Sequence, residues 1–352
     1  MPGDDTSNQS MISTNKVIAL VIFSVVVFAA VALYGKIDQV IIALATIDWW
    51  IVLITMMALS FLNYIIRYVK WQYFLKRINV HLSHKDSFSI FLAGFTLTAT
   101  PGKIGEAIKG FFIRDIDGTP VAKTVPVVVS ERVTDLLALV LLAMIGFAIG
   151  INTGDQLLTV LLLGGVVLVG AIVLSQKTFY QKILTRFTSF GPLKRFQDSI
   201  DDIEYTMTQT LGPKPLVVST TISIPGWFME CLELWLLLSL LSGAGFPSLS
   251  SASLILLLQA TFVHSTASII GALSFLPGGV GTYEVTSVLL IQFLLGISET
   301  LASAATILIR VVTLWFSVIV GFIALSVVTR RVSQSSKKTQ QAFNEPESQP
   351  PT

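Results

Sequence analysis

The chain has 352 residues, of which 53% are apolar and only 12% charged, with a mean hydropathy of +0.77 and a formal net charge of +2. Soluble domains carry about 25% charged residues, so an ordinary soluble enzyme is excluded and an all-α polytopic membrane protein is expected. The small net charge gives no case for a nucleic-acid partner, and a single cysteine (Cys231) beside three histidines speaks against an internal disulfide and against a metal or cofactor held by Cys and His.

A bilayer core needs roughly 20 apolar residues per crossing helix. After a polar segment, 1–16, runs of that kind occur at 17–34, 49–69, 121–150, 156–175, 216–241, 252–275, 280–296 and 302–328, about eight spans in one transmembrane domain over 17–328. The first contains Ala30-Val31-Ala32, which resembles a signal cleavage site, but it is long and preceded by Asp4, Asp5 and only Lys16, so a retained helix is expected. Segments 87–100 and 104–112 flank Pro101-Gly102 and are too short to cross singly; they read as a re-entrant hairpin. Residues 176–215 form a connection whose mixed-charge stretch 195–209 is expected as a surface amphipathic helix, and the polar tail 329–352, with Pro346, Pro350 and Pro351, is expected to be disordered.

Lys and Arg concentrate in cytoplasmic loops, so their distribution orients the chain. The 67–85 connection holds Arg67, Lys70, Lys76, Arg77 and Lys85, the 176–215 connection holds six more, and the tail holds Arg330, Arg331, Lys337 and Lys338, against Lys36 alone on the other side. Both termini then face the cytoplasm of a cell membrane, provided the 87–112 hairpin enters and leaves on that same side.

The sequence also repeats. Pro101-Gly102-Lys103-Ile104-Gly105-Glu106 resembles Pro277-Gly278-Gly279-Val280-Gly281 followed by Glu284, and Arg132-Val133-Thr134-Asp135 resembles Arg310-Val311-Val312-Thr313. Glu106 to Arg132 and Glu284 to Arg310 are both 26 residues, so one offset of 178 relates the pairs and also sets Trp49 on Trp227. The loop census gives the repeats, about 49–150 and 216–328, opposite orientations. Inverted repeats with helices broken near the midplane are the architecture of many transporters.

Charges within spans are costly and point to function or pairing. Lys103, Arg132 and Arg310 are candidates to bind an anionic headgroup, Arg by its planar fork, with Gly105, Gly279 and Gly281 offering backbone N–H groups at the Pro101-Gly102 and Pro277-Gly278 breaks. Glu106 and Glu284 hold the arginines, bind a cationic group or carry a proton; Asp135 shares a helix with Arg132. The competing reading is a set of internal ion pairs pinning each hairpin to the next helix. Asn63 and Arg67 are expected to snorkel to the interface, His264 to be a packing residue, and Glu230 and Glu233 to line a cavity or pair with another helix. Neither an ATP-binding P-loop nor a zinc-protease or nucleophile-elbow motif occurs, so no enzyme activity is expected.

The hairpin at 101–106, Glu131-Arg132 with Asp135, and Pro277-Gly278-Gly279-x-Gly281-x-x-Glu284 resemble the membrane domain of bacterial lysylphosphatidylglycerol synthetase/flippase proteins over roughly 17–328. The resemblance implies a lipid or lipid-linked-glycan translocase that is not itself ATP-driven, with a phospholipid or polyprenyl-linked lipid as partner. It equally allows a non-transporting subunit that presents lipid to a membrane glycosyltransferase or lipid synthase. The synthetase's cytosolic aminoacyl-transfer domain has no counterpart in these 352 residues.

Overall fold

The computed structural model describes residues 14–45, 47–151 and 199–344, with scattered positions between 158 and 176, and the described residues are helical without a strand. Six helices are long and apolar enough to cross a membrane, seven if a bent pair at the start is counted as one span. Two of the eight expected spans account for the difference. The run 156–175 lies largely outside the described residues, as does 177–198 of the connection. The first run, α1 (Thr14–Tyr34), turns by 90° into α2 (Ile37–Ala45), with Lys36 in a left-handed conformation at the corner.

The remaining elements fall into two sets with the same order. In the first, α3 (Trp49–Arg77) is followed by α4 (His84–Ala93), a 3-10 turn (Gly94–Leu97), the Pro101–Ala107 3-10 segment, α5 (Ile108–Asp117) and α6 (Val121–Gly150). After the connecting helix α7 (Ile200–Leu211), the second set runs α8 (Pro213–Leu241), α9 (Ser251–Leu273), the Pro277–Gly279 turn, α10 (Thr282–Leu295), then α11 (Glu299–Arg310), which passes through a π-helical turn (Val311–Trp315) into α12 (Phe316–Asn344). Each break follows from its Pro, which lacks an N–H and forces the preceding residue, Thr100 or Leu276, into an extended conformation.

The halves differ in their first arm. In the first half α4 and its 3-10 extension fold back against α5 as a hairpin, whereas α9 has 23 residues, about 34 Å at 1.5 Å per residue, and is long enough to cross fully before α10 returns. The two sets interlock: α3 packs on α8, α6 on α9, and α12 on the first hairpin. Lipid tails remove most of the hydrophobic drive between helices, so these contacts depend on close approach of small residues. Gly146 and Gly150, four apart on α6, face α9 so tightly that a Cβ on Gly146 would lie 2.6 Å from the Leu258 carbonyl oxygen. Gly321 of α12 meets the hairpin tip in the same way, where a Cβ would collide with the Thr96 nitrogen.

The expected linker helix exists as α7, and it is docked: Thr206 donates to the Lys123 carbonyl at 2.7 Å and the Thr210 and Ser130 hydroxyls lie 2.7 Å apart. The tail departs from expectation, since α12 stays helical to Asn344; residues 329–344 hold no Gly or Pro and include several good helix formers. Residues 345–352 lie outside the described residues. Arg67 and Lys70 do not belong to a cytoplasmic connection. Both lie within α3, Lys70 is completely buried and Arg67 is 7% exposed, because α3 continues to Arg77 with its polar stripe turned inward. The positive side of the molecule retains Lys76, Arg77 and Lys85.

Candidate functional site

The two Pro-Gly breaks touch, and between them lies a cavity of about 270 Å³ lined by both halves. Gly278 packs against Ala99 of the first hairpin, and Gly279 is so close to Gly271 that a Cβ would sit 3.0 Å from its Cα. Gly281 has φ +92°, a conformation that L side chains rarely adopt, so glycine is required where α10 begins.

In the second half the expected acid–arginine pair is closed. Arg310 donates from Nε to Glu284 Oε1 at 2.7 Å and from Nη2 to the Gly278 carbonyl at 2.7 Å, with its guanidinium 4.7 Å from the centre of the Tyr283 ring. The other carboxylate oxygen of Glu284 accepts from the Gly281 N–H at 2.6 Å. Arg310 therefore fastens the end of α11 to the break, which is the ion-pair reading of this residue. A turn of π-helix follows directly, the kind of irregularity that recurs at functional sites.

The first half uses its charges differently. Lys109 takes the structural place: its Nζ lies 2.5 Å from Glu131 Oε2 and 3.6 Å from Glu106 Oε2, and 4.5 Å from the centre of the Trp71 ring. Lys70 Nζ lies 2.5 Å from Asp135 Oδ1 and donates to Ser223 at 2.8 Å. Arg132 comes within 3.5 Å of Glu106 Oε2 and 3.2 Å of Asp135 Oδ2, but neither its Nε nor its Nη2 makes a hydrogen bond, and it is 21% exposed to the cavity. Three carboxylates, Glu106, Glu131 and Asp135, thus balance Lys70, Lys109 and Arg132.

Two cations remain over. Lys103 holds a left-handed backbone conformation (φ 56°), its ammonium lies 5.6 Å from the centre of the Trp227 ring, and it lines the cavity. Arg67 lies over the Phe95 ring at 5.1 Å, and its Nε has no partner. Among the described residues neither has a carboxylate within ion-pair distance. Uncompensated positive charge in a low-dielectric cavity is costly, and an anion entering there relieves that cost.

The opposite wall is acidic and imidazole-bearing. Glu230 accepts from Asn63 Nδ2 at 3.1 Å and lies 3.2 Å from His264 Nε2, whose Nδ1 is 2.9 Å from the Tyr283 hydroxyl. Leu273 and Phe275 line the cavity while being 57% and 66% exposed, so its apolar rim is continuous with the outer surface.

Several expectations are corrected by this geometry. The N–H groups of Gly105, Gly279 and Gly281 are already donated to Thr100 Oγ1, the Leu276 carbonyl and Glu284, so these glycines serve turn geometry and close packing and do not offer N–H groups to a phosphate. Asn63 and Arg67 do not snorkel; Asn63 is fully buried and donates to the Gly226 carbonyl at 2.7 Å. His264 is hydrogen-bonded as expected but lines the cavity. Arg67, Lys70 and Trp227 were not placed in the site by sequence. A polar stripe at helical spacing on α3, Ser60, Asn63, Arg67 and Lys70, carries that signal.

The fold and site together define a polytopic α-helical membrane protein whose two broken helices meet at a polar, net-basic cavity. Residues 16–321 match the family of the lysylphosphatidylglycerol synthase transmembrane region, and the chain belongs to that family. It is similar to the UPF0104 membrane proteins of Methanocaldococcus jannaschii, 23% identical over 93% of this chain and 99% of the relative, and of Pyrococcus horikoshii, 25% identical over 72% and 80%. A third, from Methanothermobacter thermautotrophicus, is 22% identical over 90% and 96%.

Proposed function

We propose that the protein is a lipid or lipid-linked-glycan translocase of the cell membrane that works without its own ATPase. The observation that carries this reading is the pair of unpaired cations, Lys103 and Arg67, beside the incompletely bonded Arg132 in a cavity with an apolar, outward-continuous rim. An anionic headgroup satisfies the cations while its acyl or prenyl chains stay in the bilayer through the rim at Leu273 and Phe275. A volume of about 270 Å³ suits a headgroup rather than a whole lipid. Alternate opening of the two breaks around this point moves the headgroup across, the pattern of broken-helix transporters. The basic side, with both termini, faces the cytoplasm.

The test is a liposome assay with a fluorescent anionic phospholipid. Purified protein accelerates its equilibration between leaflets over empty vesicles, and Lys103→Gln or Arg132→Gln slows it at least tenfold. A wild-type rate equal to that of empty vesicles contradicts translocation and favours a subunit that presents lipid to a membrane glycosyltransferase or lipid synthase.

A further inference from the structure

Glu233 takes no part in the basic site, yet it is the most isolated acid in the described interior. It lies on α8 with no exposed surface, accepts one hydrogen bond from Ser60 of α3 at 2.8 Å through Oε1, and leaves Oε2 without any partner. We propose that Glu233 is a proton-carrying site that exchanges with the cavity through Glu230 and His264 and couples lipid movement to a proton gradient; the coupling rests on the translocase reading.

The surroundings argue for a proton. On α8 the ionisable neighbours are Glu230, one helical turn away, and the buried Cys231. From α3 come Ser60, Asn63, Tyr64 and Arg67, of which Arg67 is turned onto Phe95. From α9 and α10 come His264 and Tyr283, bonded to each other. The charged residues of α11 are taken, Arg310 by Glu284 and Glu299 by Lys36 at 2.6 Å, and on α6 Asp135 is held by Lys70. Among the described residues no cation therefore compensates Glu233, and an ionised carboxylate with one hydrogen bond is strongly disfavoured in so dry a place. A metal ion needs several oxygen ligands, and no group of three metal-ligating side chains occurs among the described residues.

The route out is short. Glu230 is one turn along the same helix, lines the cavity and contacts His264 Nε2. The proton on Glu233 passes to the Glu230 carboxylate when a side-chain rotation brings the unpartnered Oε2 to it, and from Glu230 to the His264 imidazole or to water in the cavity. Glu233 is left anionic beside Glu230 until it takes a proton back. Because Ser60 and Glu233 join α3 of one half to α8 of the other, the charge change acts on the junction at which the halves move.

Two readouts test this on the full-length protein. Infrared difference spectra after a pH jump are expected to show a protonated carboxylic acid band in wild type that Glu233→Gln removes; no such band, or one that survives the substitution, overturns the proton site. In liposomes an imposed pH gradient is expected to drive net movement of a fluorescent anionic phospholipid at least tenfold above its level without a gradient, and Glu233→Gln to equilibrate lipid without responding. Movement indifferent to the pH gradient, or driven by a sodium gradient instead, overturns the coupling. Should wild type move no lipid at all, the infrared band still decides the proton site and only the translocase reading fails. If Glu233→Gln folds poorly, Ser60→Ala, which leaves the acid in place, is expected to shift the band rather than remove it; an unmoved band overturns the assignment.

Discussion

The two Pro-Gly breaks carry the same acid and the same arginine at the same spacing, yet the structure employs them for different ends. At the second break Arg310 is saturated by Glu284 and the Gly278 carbonyl, and little of it is left for a ligand. At the first, Lys109 takes over the structural role, so Arg132 is released toward the cavity, where Lys103 and Arg67 add charge without partners. One half thus uses the pair as a brace, and the other leaves its arginine facing the cavity. Duplication of a sequence pattern does not imply duplication of a role.

The comparison breaks most easily at Lys109. If it is the true counterpart of Arg310 in function, Lys109→Met strands Glu131 in the interior, leaving Glu106 to Arg132 and Thr98, and costs about 3–5 kcal/mol, seen as lost monodispersity or a large fall in Tm in detergent. A mild effect there would return the structural role to Arg132.

Arg132→Gln is expected to change stability by only about 1 kcal/mol, since Glu106 keeps Lys109 and Thr98 while Asp135 keeps Lys70 and Ser223. Its larger effect is expected on lipid movement, with Arg132→Lys expected to restore part of it because a point charge lacks the bidentate fork. Restoration to the full wild-type rate by Lys would contradict a forked contact.

The smallest effect sharpens the reading of Lys103. A non-glycine residue at φ 56° stores about 1 kcal/mol or slightly more, so Lys103→Gly should melt higher than Lys103→Ala by that amount while both lose lipid binding. Equal stability of the two would remove the case that backbone strain is tolerated there to aim a charge.

Much of this was legible in the sequence, because intramembrane charge and Pro-Gly punctuation are strong signals in an apolar chain. The common spacing of Glu106–Arg132 and Glu284–Arg310 marked both breaks and offered ion pairing as one of two readings, which the second pair follows. Asymmetry was not legible, since it depends on which cation wins each carboxylate, and Lys109 and Arg132 compete for Glu106 at distances differing by 0.1 Å, 3.6 against 3.5 Å. Lys70 and Arg67 were hidden by a rule that assigns basic residues after an apolar run to a loop; here the helix continues and the stripe turns inward. Gly146 and Gly321 were invisible because a glycine's neighbour is known only once the helices have met.

The most direct measurement of the central claim sets Arg132→Gln beside Arg310→Gln in thermal melts, with and without a short-chain anionic phospholipid. The account predicts that Arg310→Gln loses about 3–5 kcal/mol, is restored in part by Glu284→Gln/Arg310→Gln, and still gains stability from the lipid. Arg132→Gln should melt near wild type but gain nothing at a lipid concentration that stabilises wild type by about 2.7 kcal/mol, the value at 100 times Kd. Equal destabilisation of the two variants, or an undiminished lipid response in Arg132→Gln, would contradict it.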